Sequence, residues 1–351
     1  MTTSPTPADL GFSMPAEWLR HDATWLAWPK DPVTWPDRVP LAQSIFLQMI
    51  TLLSAQERVE LLVDDAATEA VVLDRLKKMA VNRSNLRFHH IPTVDSWIRD
   101  YGPNFLLRDQ GGSVELAFNH WIFNAWGGKY EELRKDTDVP SKIAPLLGVP
   151  HFTPGIVLEG GSIDVNGAGT CLTTEQCLLN PNRNPNLSKD QIEAYLKQYL
   201  GVRQVIWLGE GIAGDDTDGH VDDIARFVAP GTIVCGVEED SADENYKLLQ
   251  DAVQRLRRAR DVNGQPFRIV QLPTPGRVEG LDARLPASYA NFYIANGVVL
   301  APVFGHRNDE RAVEILQRLF PGRRVVGINC EPLVWGLGAI HCVTQQQPAR
   351  G

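Results

Sequence analysis

Short runs rich in Val, Ile, Phe and Tyr alternate with amphipathic helical stretches along the whole chain, and this alternation constrains the fold most. Runs such as "VELLVDD", "LRFHHIP", "NFLLRD", "SVELAFN", "QVIWLG", "TIVCGV", "FRIVQLP" and "RRVVGIN" are broken by Gly, Pro, Asp and Asn and read as strands. Apolar residues recur at helical spacing over 41–56, 66–80, 188–200, 241–260 and 308–320, and more weakly over 139–147. Ser188 and Asn308 stand where N-caps belong. Several strands followed by one helix, recurring, reads as an α/β fold and hints at a repeated unit, although the units are not alike in sequence. No Gly/Ser-rich linker divides the 351 residues, so one α/β domain over 1–351 is expected, with 1–12 as a disordered lead.

The formal net charge is −9, with no basic block, which argues against a nucleic-acid partner and suits a small cationic substrate. No run approaches the roughly 18 apolar residues of a membrane span. The start lacks a charged segment followed by an apolar one, so the cytosol is the expected compartment. The five cysteines are irregularly spaced and form no C-x-x-C pair. Neither disulfides nor a structural zinc site is therefore expected. Four sit in apolar runs as small hydrophobes do. Cys342 instead lies among polar neighbours, beside His341, close to the end of the chain.

Four polar groups interrupt the pattern. In "DSWIRDYGP", Asp95 or Asp100 could bind a cation beside the Trp97 face, or simply pair with Arg99 on a surface loop. In "LEGGSIDV", Glu159 precedes two glycines, either as a turn or as a site approached closely by backbone. In "GDDTDGHVDD", an extended chain would put His220 and Asp222 on one face, with Asp218 and Asp216 in line. A histidine flanked by acids should hold its proton. An acidic metal loop is the competing reading there, but the full EF-hand pattern is missing. In "AIHCVTQ", strand geometry points His341 and Cys342 to opposite faces. That leaves Cys342 either inert or a nucleophile. One Cys, one His and several carboxylates together suit a planar cation such as a guanidinium, which carries five N–H donors in fixed directions.

With those residues in view, the chain resembles a known family. "MPAEWLRHDATWLAWP", "DSWIRDYGP", "LEGGSIDVNGAGTCLTTEQCLLNPNRNP", "DTDGHVDDIARFV" and "IHCVTQQQP" together resemble the agmatine deiminases, in family order from about residue 13 onward. These enzymes belong to the bacterial-type peptidylarginine deiminase branch of the guanidino-group-modifying enzymes. The resemblance implies a pentein fold, a five-bladed pseudo-symmetric α/β propeller with its active site at the centre. It implies hydrolysis of agmatine to N-carbamoylputrescine and ammonia, a step towards putrescine and the polyamines, through a covalent thiouronium on cysteine. It implies no metal and no organic cofactor, and a homodimer or higher homo-oligomer.

Carried over by motif, the resemblance makes Cys342 the nucleophile and His220 the general acid/base. Asp100 and Asp222 become the guanidinium-binding acids, and Glu159 the acid that orients the histidine. Trp97 lines the pocket and Asp216 is a candidate for the distal amine. Two positions depart from the pattern. The family commonly has Glu where Asp216 stands, and its segment before His341 is often richer in glycine than "GLGA". A deiminase for arginine or peptidyl arginine, an amidinotransferase and a non-catalytic pentein binding module are the alternatives.

Overall fold

The computed structural model describes residues 5–280 and 282–350. Its sheets repeat one small plan. Strand β1 (His21–Ala27) lies parallel to β2 (Arg58–Val63), which lies parallel to β3 (Leu86–His90). The next sheet holds β4 (Asn104–Asp109), antiparallel to β5 (Val114–Asn119), which is parallel to β6 (His151–Phe152). The same antiparallel-then-parallel order recurs in β7 (Asp164–Val165), β8 (Thr170–Thr174) and β9 (Gln204–Leu208), and in β10 (Ala225–Ala229), β11 (Thr232–Val237) and β12 (Arg268–Pro273). A hairpin of β13 (Val278–Gly280) and β14 (Ala283–Leu285) follows. Then come β15 (Tyr293–Ile294), β16 (Val298–Val303) and β17 (Arg324–Asn329), in the same order again. Last, β18 (Gln345–Pro348) returns to pair antiparallel with β1.

The plan follows from connection rules. A parallel neighbour needs a long crossover, usually a helix. Each such step here carries one: Val39–Ser54, Ala66–Leu76, Val139–Leu147, Lys189–Leu200, Asn245–Arg258 and Asp309–Leu319. Helix Lys189–Leu200 shows why such segments fold. Ser188 accepts from Gln191 N while Gln191 returns the bond, a complete capping box, and Gly201 ends the helix in the left-handed region. Ile192, Leu196 and Leu200, four residues apart, are buried against the sheet. Burial stabilises each by roughly 1.5–3 kcal/mol, and Leu196→Ala would cost about 2–5 kcal/mol.

Two expectations need correction. The stretch 1–12 was expected to be disordered, but from Thr6 on it forms turns and docks. Ala8 N–H donates to Gln198 O at 3.0 Å, and buried Phe12 meets Phe152 edge-on at 5.9 Å. Residues 1–4 lie outside the described residues. Asn308 does stand at the N-cap position, but its side chain donates to Thr274 O, and Asp309 takes the nearby backbone N–H groups instead.

The polar motifs sit just before the antiparallel edge strand of each sheet. Asp100 precedes β4, Glu159 precedes β7, His220 and Asp222 precede β10, and Cys342 precedes β18. Asn291 holds the corresponding place before β15. The repeat thus delivers one polar residue or pair per unit from equivalent positions.

Candidate active site

Cys342, His220, Asp222, Glu159, Asp100 and Trp97 are all buried. Gly161 marks where three of them meet. A Cβ at that glycine would lie 2.6 Å from His220 Nδ1, 2.8 Å from Asp100 Oδ1 and 3.1 Å from Asp222 Oδ2. Close approach, rather than backbone conformation, demands glycine here. Its N–H donates to Asp100 Oδ1 at 2.9 Å, and Trp126 Nε1 donates to Asp100 Oδ2 at 2.9 Å.

The local structure differs from the extended chain read in the sequence. Val221–Asp223 is a single 3-10 turn, and β10 starts only at Ala225. The turn, rather than strand alternation, brings His220 and Asp222 to one place. Residues 340–343 likewise form a turn, not a strand. His341 and Cys342 consequently do not face apart: His341 Nδ1 is 2.6 Å from Asp222 Oδ2, and Cys342 Sγ is 3.9 Å from the same oxygen.

Asn291 was not singled out by sequence, yet it touches the thiol. Its Nδ2 donates to Cys342 Sγ at 3.1 Å and to Asp223 Oδ1 at 2.9 Å, and its Oδ1 accepts from His341 N at 2.9 Å. Only the repeat position could have flagged it. Arg183 and Glu17 were also missed as site neighbours. Arg183 Nε donates to Glu159 Oε1 at 2.6 Å and Nη1 to Asp218 Oδ2 at 2.6 Å. Glu159 has its other oxygen, Oε2, unpartnered, as are both ring nitrogens of His220 and Oδ1 of Asp222.

The electrostatics follow from this crowding. Burial pushes the Cys342 thiol well above its ordinary range, and the carboxylates of Asp222, Asp223 and Asp100 push the same way. Asp100 is raised well above the usual carboxylate range by burial and by Asp222 and Glu159. Burial also opposes the charge on Asp222, but His341 more than offsets it, and that carboxyl stays below its ordinary value. His220 departs from expectation. Burial drives it down to about 3, and Arg183 adds to this against the pull of Asp222. The imidazole is neutral at rest, because desolvation outweighs the nearby acids.

A cleft of about 760 Å³ opens onto this centre. Asp100 and Cys342 line it with Trp97, Trp126, Tyr130 and Leu133, and towards the mouth Val33, Trp335 and Leu337. Asp216 also lines it, accepting from Tyr130 Oη at 2.6 Å and facing Lys129 at 3.4 Å. Asp95 lines the cleft but is occupied. Thr34 Oγ1 and Trp97 Nε1 donate to it at 2.6 and 2.8 Å. Gly338 packs against the centre. A Cβ there would meet Trp97 at 2.5 Å and Cys342 Cβ at 3.2 Å. Leu337 beside it holds φ +67°, a left-handed conformation costly for a branched side chain. Among the described residues, two donor sets could in principle hold a metal: Glu159–Cys177–His220 and Asp222–Asp223–Cys342. Both draw on the residues just described.

A buried thiol set among carboxylates and a neutral imidazole, under an aromatic cleft, is equipped to attack a bound cation. Comparison with known proteins agrees. The chain is 40% identical to an agmatine deiminase of Stutzerimonas stutzeri (strain A1501), with 99% of this chain and 98% of that one covered. Its structure matches the agmatine deiminase of Enterococcus faecalis at TM-score 0.91 and 35% identity, covering 99% of each chain. It also matches a C. jejuni agmatine deiminase, a serine-for-cysteine variant with substrate bound, at TM-score 0.85 and 30% identity, covering 97% of each. The family model for the Porphyromonas-type peptidyl-arginine deiminases matches residues 13–348, and the chain belongs to that family.

Proposed function

We propose that this chain is an agmatine deiminase, a hydrolase that converts agmatine and water to N-carbamoylputrescine and ammonia, a step in putrescine formation. One observation carries the reading. Buried acceptors without partners, Asp222 Oδ1 and Glu159 Oε2, accompany Cys342 and a histidine with two unpartnered nitrogens. Leaving such groups unpaired is costly, and a guanidinium supplies flat, fixed N–H donors enough to pair them.

Asp100 and Asp222 grip the guanidinium plane. The cation offsets the negative field that keeps Cys342 a thiol, so binding favours the thiolate. Neutral His220 ends with the thiol's proton. Sγ attacks the central carbon, and His220 returns that proton to the departing amine, which leaves as ammonia. The S–C bond now holds a thiouronium. Glu159, itself held by Arg183, aligns His220 as it takes a proton from water. Hydroxide adds to the carbon, the C–S bond breaks, and the ureido product leaves with the thiol reprotonated.

The cleft favours agmatine over arginine. An α-carboxylate wants a cationic partner, and Lys30 is the basic residue among the described lining residues, already paired with Asp64. Arg99, Arg183 and Arg226 are buried in pairs with Glu17, Glu159 and Asp164. The five-sheet repeat supports a five-bladed ring in a single catalytic domain, with the C-terminal strand closing the first blade. We read the protein as cytoplasmic and as a homodimer or larger. No helix among the described residues is long and apolar enough to cross a membrane. Ammonia release from agmatine, arginine and N-acylarginine, with glycine or ornithine added in a second arm, tests the reading. Turnover of arginine equal to agmatine, or amidine transfer to the added amine, overturns it.

A further inference from the structure

His341 does not serve in the chemistry above, yet it is buried and both ring nitrogens face carboxylates. Nδ1 lies 2.6 Å from Asp222 Oδ2 and Nε2 lies 2.8 Å from Glu17 Oε2. An ionised carboxylate only accepts hydrogen bonds, so two carboxylate partners call for two ring N–H groups, an imidazolium. Glu17 is itself anchored. Arg226 Nη2 donates to Oε2 at 2.8 Å, Ile294 N donates to Oε1 at 2.8 Å, and Arg99 lies 3.6 Å away. The anchoring is long-range: Glu17 precedes β1, Arg226 is on β10 and His341 precedes β18. Asp222 Oδ2 is thereby occupied, and Oδ1 remains without a partner.

We propose that Glu17 and His341 form a positioning pair that keeps Asp222 ionised and aimed, and so sets how tightly, and to how low a pH, the site takes a guanidinium. Charge inventory supports the assignment. The charged groups around His341 are Glu17, Asp222 and Asp223, Arg226, Asp164 on β7, Arg99 and the Cys342 thiol, with Tyr293 beside Glu17. Three neighbouring acids, Asp100, Asp222 and Asp223, compete for ionisation in one buried space, and like charges so close cannot all stay ionised. The imidazolium touches Asp222 alone of the three, and therefore selects it. Asp100 and Asp223 are raised well above the usual range while Asp222 is held below it.

The inference rests on Asp222 being a guanidinium-binding acid, as in the proposed function. His341→Gln keeps a donor towards Asp222 but removes the charge. KM for agmatine should rise roughly tenfold or more, as expected for loss of a charge-assisted bond, with kcat changed less. The acid limb of kcat/KM should move to higher pH, because Asp222 then binds its proton more readily. Glu17→Gln should shift both in the same direction but less. Nitrogen-15 NMR of the wild-type histidines should show both His341 ring nitrogens protonated in the folded protein, as its two carboxylate partners require. A His341 ring with one bare nitrogen in the folded protein, or an unmoved acid limb in both variants, overturns the positioning pair while leaving the deiminase reading intact. A wild-type protein inactive on every guanidine overturns the deiminase reading, and the NMR result still decides the charge on His341.

Discussion

Gly161→Ala is the smallest change that disturbs the proposed centre. The added methyl would lie 2.6 Å from His220 Nδ1, 2.8 Å from Asp100 Oδ1 and 3.1 Å from Asp222 Oδ2. Comfortable carbon contacts run at about 3.5 Å, so the groups must each give by roughly 0.4–0.9 Å. Displacement near 1 Å costs about 10²-fold in rate, equal to about 2.7 kcal/mol of transition-state stabilisation. Overpacking should cost about 1–3 kcal/mol of stability, too little to unfold a domain of this size. Steady-state ammonia release with agmatine measures kcat/KM, and circular dichroism and thermal melting check the fold. Gly231→Ala is the control, because a Cβ there meets nothing within 4 Å. A folded Gly161→Ala protein within threefold of wild type would refute the convergence of His220, Asp100 and Asp222 on the reacting group.

Other outcomes follow from the same geometry. Asn291→Ala removes the amide donor to Cys342 Sγ, and kcat should fall roughly tenfold or more; an unchanged kcat would leave Asn291 a packing residue. Alkylation of Cys342 by iodoacetamide should rise only above pH 9 in the free protein, because burial and Asp222, Asp223 and Asp100 raise the thiol. Asp223→Asn should move that profile to lower pH. Burial and Asp222 also raise Asp223 itself well above the usual range. Its folded state therefore holds a proton more tightly than the unfolded chain, and stability is lost as pH rises from about 4 through the raised value. Asp223→Asn should then stabilise the protein at pH 7, read as a higher Tm; a lower Tm would contradict the sign. Leu337→Gly releases the left-handed strain at φ +67° and should stabilise the cleft wall by about 1 kcal/mol; loss of stability on urea unfolding would show the side chain's packing matters more.

The helices and most strands were legible because their apolar spacing is local. Ser188 and Gln191 announce a capping box that the structure completes. The candidate site was legible where a short motif carries the residue, as for Cys342, Glu159 and Asp100, and for His220 with Asp222 in one motif. Asn291 was not, because "SYANFY" reads as strand and its polar role depends on five sheets repeating one plan. Glu17 was not, because its partners Arg226 and His341 lie more than two hundred residues away in sequence. His341 was read as facing away from Cys342 because strand alternation was assumed, and a turn reverses that. His220 was expected to keep its proton because the sequence shows neighbouring acids but not the burial that outweighs them.

Agmatine turnover quenched in acid and analysed by intact-protein and peptide mass tests the central claim most directly. Wild type should carry agmatine less ammonia on the peptide that holds Cys342, and Cys342→Ala should show neither adduct nor steady ammonia release. Ammonia release by Cys342→Ala near the wild-type rate, with no adduct on the wild-type thiol, would contradict a covalent mechanism through this cysteine.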